Sequence, residues 1–237
     1  MKDKILILLP FIIFCFSLRF TIAETEKNIV DVFAKLDDNY EYLIIVDPGH
    51  GGEDGGAVGF DGTLEKDLNL EISYKVASLF DIFGIAYEFT RKNGEAIGDT
   101  KLPTIRERKV SDIHKRFEII NSYDNSILLS IHQNFYPVEK YSGAQVFYSD
   151  TELSDVIAQN IQQRIRIDLQ FDNKRTIKKT TDDIYLLHKA KKPSVMVECG
   201  FMSNPQELFE LKDWNYQQRL SYGIVRGMID FLSCQSL

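Results

Sequence analysis

The chain has 237 residues, 44% of them hydrophobic and 27% charged, with a formal net charge of −7. That length and balance suit one globular domain with a sizeable core. They offer no basic face of the kind nucleic-acid binding requires, so that class is set aside.

Residues 1–23 read as a signal peptide or membrane anchor. Met1-Lys-Asp-Lys4 is basic, Ile5–Leu18 is apolar and uncharged, and Ala23 offers a small residue before Glu24. The apolar run is shorter than the ~20 residues of a usual membrane span, which favours export over anchoring. Residues 24–41 read as a linker and 42–237 as the domain. Beyond the leader only Cys199 and Cys234 remain, too few for a disulfide framework. Cys199, in an apolar run, reads as a small buried hydrophobe.

Tyr42–Val46 is an apolar run that ends at Asp47-Pro48, the mark of a buried strand. It opens into a glycine-crowded loop with His50 near its start. From Leu64 to Phe83, Leu68, Ile72, Val76, Leu79, Phe80 and Phe83 recur at helical spacing, and Gly84 supplies a C-cap signal. Ile85–Thr90 predicts a second strand, followed by a polar, mobile loop to Pro103. Thr104–Tyr123 predicts a second helix, with Ile105, Val110, Ile113, Phe117 and Ile120 inward. Arg106, Arg108, Lys109, Lys115 and Arg116 then form a solvated face, with substrate binding as the lesser alternative.

Ser126–Ile131 predicts a third strand running straight into His132-Gln-Asn134, and Gly143–Tyr148 a fourth. Leu153–Leu169 is a third helix, followed by a basic loop through Lys174, Arg175, Lys178 and Lys179. Ser194–Val197 is a fifth strand ending at Glu198, and Tyr216–Leu232 a closing helix. Alternating strands and helices, with several strands apolar throughout, predict an α/β fold. The expectation is a single domain: a mostly parallel twisted sheet of about five to six strands, with helices on both faces.

In such sheets the active crevice lies beyond the carboxyl ends of the strands. His50 follows the first strand, His132 ends the third, Glu198 ends the fifth and Glu65 opens the first helix. Two histidines and a carboxylate make a catalytic zinc set with a position open for water. Glu198 is then the spare carboxylate for proton transfer. Glu53 and Asp54 compete with Glu65 as ligand, although hydrogen bonds to the loop's glycine N–H groups suit them better; Asp47 reads as structural. His114 and His188 read as solvent-facing. The loop glycines read as room for a bulky substrate. The loop lacks both G-x-G-x-x-G and the G-K-[ST] ending of a phosphate loop, and no G-x-S-x-G elbow occurs.

Asp47-Pro-Gly-His-Gly-Gly52, Glu65-Lys-Asp-Leu68, Ser130-Ile-His-Gln-Asn134 and Val197-Glu-Cys-Gly-Phe-Met-Ser-Asn204 resemble the zinc-dependent N-acetylmuramoyl-L-alanine amidases of the family-3 type. The resemblance runs from about Leu43 to the C-terminus. It implies one Zn²⁺ on His50, Glu65 and His132, Glu198 as the catalytic carboxylate, and cleavage of the lactyl–L-alanine amide of peptidoglycan. Ser142–Tyr148, Ile184–Leu187 and Lys192-Pro193 look like the germination-specific members, which implies a step toward muramic-δ-lactam in spore cortex. A vegetative autolysin, an inactive wall-binding homologue and a zinc hydrolase acting on another bond are the other readings. No wall-binding module is evident, so an accessory or activator protein is expected. The membrane would be met only through the N-terminal segment, placing the domain on the wall or cortex side.

Overall fold

The first strand, β1 (Leu43–Pro48), forms where the sequence is apolar on both sides of the pleat, and five of its six residues are buried. This computed structural model describes residues 42–235. The leader and linker read from residues 1–41 lie outside the described residues. After β1 the order is α1 (Glu65–Phe83), β2 (Tyr87–Phe89), α2 (Ile105–Asn121), β3 (Ser126–Asn134), β4 (Gln145–Tyr148) and α3 (Ser154–Asp168). Then follow β5 (Lys178–Lys179), α4 (Tyr185–His188), β6 (Ser194–Phe201), α5 (Pro205–Lys212) and α6 (Trp214–Gln235).

The six strands form one sheet in the order β2-β1-β3-β6-β4-β5, parallel at every pairing except β4 with β6. The α/β expectation of a mostly parallel sheet of five to six strands holds. Alternate residues divide between two cores. Ile44, Val46, Ile127, Leu129, Val195 and Val197 pack under α1, α3, α5 and α6. Ile45, Leu128 and Met196 pack under α2 and α4 on the other face. Helices therefore cover both faces, as expected.

The connections fix where a ligand can enter. β1 leads through α1 to β2 on one side, whereas β2 leads through α2 to β3 on the other. That reversal opens a crevice at the carboxyl ends of β1 and β3. α1 ends at Gly84 in the left-handed conformation, φ 66°, as the sequence predicts. β5, α4 and α5 are not foreseen by sequence periodicity. α5 starts with an Asn204 side-chain cap and Pro205 in its first turn, a local signal rather than a periodic one.

α2 corrects the sequence reading. Ile105 and Val110, expected inward, are 56% and 45% exposed. Arg116, expected on a solvated face, is 3% exposed, and Asp112 is buried one turn before it. The helix turns Asp112, Arg116 and Ile120 toward the sheet, because Asp47 lies beneath it and a buried charge needs its partner there.

Candidate metal and active site

The site is built on the backbone of the loop after β1. His50 adopts φ 62°, the left-handed region that non-glycine residues seldom occupy. Two buried arginines hold the loop in that shape through its carbonyls. Arg91, just beyond β2, donates to Pro48 O and Gly49 O at 2.9 Å each. Arg116 donates to Pro48 O at 2.8 Å and to His50 O at 2.5 Å. Arg116 also pairs with Asp47 at 2.5 Å and Asp112 at 2.7 Å. Asp47 further accepts from Thr90 and Ser130 hydroxyls. Burial alone would raise its carboxyl, but Arg116 and those hydroxyls hold it down at about 2. The structural reading of Asp47 holds.

On this frame three groups meet. Glu65, the first residue of α1, is buried, and its Oε1 lies 2.9 Å from His132 Nδ1 while its Oε2 lies 3.2 Å from His50 Nε2. Its carboxylate also accepts from Ala57 N at 2.8 Å, Gln133 N at 3.1 Å and Asn69 Nδ2 at 3.3 Å. Ligand atoms of His50, Glu65 and His132 lie within 4.8 Å of one another, a group that could hold a metal ion. Burial opposes charge on Glu65, yet hydrogen bonds with both imidazoles hold it well below the usual carboxylate range.

Asp54 is the residue whose role the sequence leaves most open. Its Oδ2 lies 2.8 Å from His50 Nδ1, and its Oδ1 accepts from Gly56 N and pairs with Lys109 at 2.7 Å. It therefore fixes the glycine loop, as expected, and also orients the His50 ring so that Nε2 faces Glu65. Burial would lower the His50 pKa, but hydrogen bonds to Asp54 and Glu65 raise it to about 9. Glu53 points away and pairs with Arg108 at 2.6 Å. The basic residues of α2 are thus partly committed to this loop.

Two glycines are required by close approach, and what approaches is the site itself. A Cβ on Gly49 would lie 2.1 Å from His132 Nε2. A Cβ on Gly56 would meet Glu65 Oε2 at 2.5 Å and His50 Cδ2 at 2.7 Å. The space read as room for substrate is, at these positions, filled by the His132, Glu65 and His50 side chains.

Glu198 completes the cluster from β6, where it is the Cα partner of His132. The register slips just beyond this pair, a bulge of the kind that re-aims side chains beside active sites. Glu198 Oε2 is shut off from solvent and has no hydrogen-bond partner among the described residues. Burial pushes the carboxyl up to about 7; Glu65 adds to the rise, and His132 and His50 oppose it. Cys199 turns to the opposite face and joins the core, as strand alternation requires. His114 and His188 are exposed. A cleft of about 760 Å³ opens over the group, lined by His50, His132 and Glu198 together with Lys109 and Tyr185.

The donors suit zinc, since two imidazole nitrogens and one carboxylate oxygen make a three-ligand set. The unsatisfied Glu198 oxygen beside them is what a proton carrier at such a centre needs.

Residues 44–230 match the N-acetylmuramoyl-L-alanine amidase family. The germination-specific N-acetylmuramoyl-L-alanine amidase of Bacillus subtilis (strain 168) is 33% identical over 192 residues, covering 81% of this chain and 80% of that relative. The N-acetylmuramoyl-L-alanine amidase AmiA of Escherichia coli (strain K12) is 28% identical over 232 residues, covering 80% and 75%. The CwlD amidase of Clostridioides difficile, solved in complex with the GerS lipoprotein, superposes with a TM-score of 0.78 at 36% identity, over 81% of this chain and 99% of that one. This chain belongs to the N-acetylmuramoyl-L-alanine amidase family and is a peptidoglycan amidase.

Proposed function

We propose that the chain is a zinc-dependent amidase in which His50, Glu65 and His132 hold the metal and Glu198 moves the proton. The observation that carries this reading is the buried, unpartnered Oε2 of Glu198, on the residue paired with His132 on the neighbouring strand. Zinc at such a centre lowers the pKa of a water to about 7 and polarises a carbonyl. Glu198, with its carboxyl near 7, takes the proton as water attacks the lactyl carbonyl and delivers it to the departing nitrogen. The C–N bond breaks, leaving a lactyl carboxylate and a free L-alanine amine. Asp54 and the two arginines keep His50 in place throughout.

The biological setting in this reading is the spore cortex, reached by export on residues 1–23. It is supported by the similarity to a germination-specific amidase and by the basic-then-apolar composition of that N-terminal segment. Among the described residues no helix is long and apolar enough to cross a membrane. A protein partner belongs to the proposal as well, since the CwlD amidase was solved with a lipoprotein.

The test is digestion of purified peptidoglycan by the zinc-loaded chain, with the products read by mass spectrometry. New L-alanine N-termini and unsubstituted lactyl groups are expected. Released acetate or terminal D-alanine would overturn the reading.

A further inference from the structure

Beyond the cleft, the segment between β3 and β4 carries an aromatic ledge that no step above uses. Three and four residues on from His132, Phe135 and Tyr136 are 49% and 51% exposed, and Tyr141 is 38% exposed. Clustered aromatic rings left in water mark a surface that meets something. The segment is not loose, although it has no helix or strand of its own. Tyr136 N donates to Ser203 Oγ at 3.2 Å, and Asn204 Nδ2 donates to Glu139 O at 2.8 Å and Tyr141 O at 3.3 Å. The Tyr136 and Tyr141 rings meet edge to face at 5.1 Å, and Tyr141 leans on Phe201 at 6.3 Å. The Tyr136 and Tyr141 rings are therefore held in place before any ligand arrives, which lowers the ordering cost of binding.

We propose that this ledge is a subsite for the glycan strand of peptidoglycan. The proposal rests on the amidase reading and adds where the polysaccharide lies. Three observations select a sugar. The ledge is continuous with the site, because it grows from the strand that carries His132 and is tied to Ser203 and Asn204 just past the strand that carries Glu198. Its own charges are one of each sign, Glu139 and Lys140, and Lys140 Nζ lies over the Tyr141 ring at 5.4 Å, so what it offers is chiefly the exposed rings of Phe135 and Tyr136. A pyranose presents an apolar C–H face to such rings and keeps its hydroxyls in water. The cleft itself is instead lined by charged residues, among them Arg108 and Lys109 paired with Glu53 and Asp54.

The test uses the full zinc-loaded chain and purified glycan strands already stripped of their stem peptides, so cleavage cannot contribute to retention. Phe135→Ala/Tyr136→Ala should co-sediment about fivefold less well than wild type, and Phe135→Trp/Tyr136→Trp should recover binding. KM on polymeric peptidoglycan should rise with kcat unchanged, while kcat/KM on a single-sugar muramyl peptide stays at the wild-type level. Equal sedimentation of wild type and the double alanine variant would overturn the proposal. So would a change of oligomeric state with glycan binding intact, which would make the ledge a contact between copies. Failure of the amidase reading shows separately, as no new L-alanine N-termini from wild type.

Discussion

His132 and Glu198 face each other as Cα partners on neighbouring parallel strands, β3 and β6. Paired positions in a sheet project to the same face, so the imidazole and the carboxyl stand side by side although 65 residues separate them in sequence. The same geometry buries a carboxyl oxygen without a partner. The site therefore stores a cost that the rest of the fold must offset.

That cost has a pH signature in the metal-free protein. Glu198 is raised from 4.5 to about 7, so its penalty is absent below about pH 4.5 and complete above about pH 7. Replacing it with Gln removes a term of up to ~3 kcal/mol at neutral pH. In urea titrations of the metal-stripped proteins, Glu198→Gln should gain stability relative to wild type by about that amount between pH ~4 and ~8. Parallel pH curves for the two proteins would contradict the account.

Much of this was legible in sequence, and the failures share one physical cause. β1, α1 and β3 announce themselves because their buried residues are apolar, so His50 just past β1, Glu65 at the head of α1 and His132 near the end of β3 sit where the sequence places them. Glu198, expected to end its strand, instead lies in the middle of β6. α2 misleads because its buried stripe holds Asp112 and Arg116 beside Ile120. Hydrophobicity cannot report a face that is buried by ion pairing. Arg116 looks like any of the neighbouring basic residues until Asp47 is placed beneath it. For Asp54 there was a signal, its four-residue spacing from His50, but the spacing does not distinguish ligand from support. β5, at two residues, is too short for any period to register.

The glycine loop gives a paired test. Gly49→Ala places a Cβ against the His132 ring, whereas a Cβ on Gly55 meets only Leu64 at 3.4 Å or beyond, an ordinary contact. Gly49→Ala should displace His132 and weaken zinc binding by at least tenfold in chelator competition. Gly55→Ala should hold zinc as wild type does. Equal affinities in the two variants would show that the close approach is not needed.

Asp54→Ala removes the partner of His50 Nδ1. Zinc affinity should fall ~10–100-fold while the fold, followed by circular dichroism, is unchanged. Asp54→Glu should recover part of the loss. Unaltered affinity in Asp54→Ala would mean that the arginine-held backbone alone orients the ring.

The Asp47–Arg116 pair contributes to acid stability. Asp47 is lowered from 3.8 to about 2, so its contribution is present above about pH 4 and is lost as pH falls through about 2. The size is ~2 kcal/mol. Wild type should lose that stability over the interval, and Asp47→Asn, already weakened by ~3–5 kcal/mol at neutral pH, should not show the same drop. Identical acid profiles would place the acid-sensitive group elsewhere.

The division of labour between holding zinc and moving the proton is tested most directly by zinc content and turnover in Glu198→Gln, measured beside His132→Ala. Glu198→Gln should retain one zinc per chain while turnover on peptidoglycan falls by ~10²–10⁴, and His132→Ala should lose metal and turnover together. Loss of zinc from Glu198→Gln, or wild-type turnover in it, would contradict the assignment.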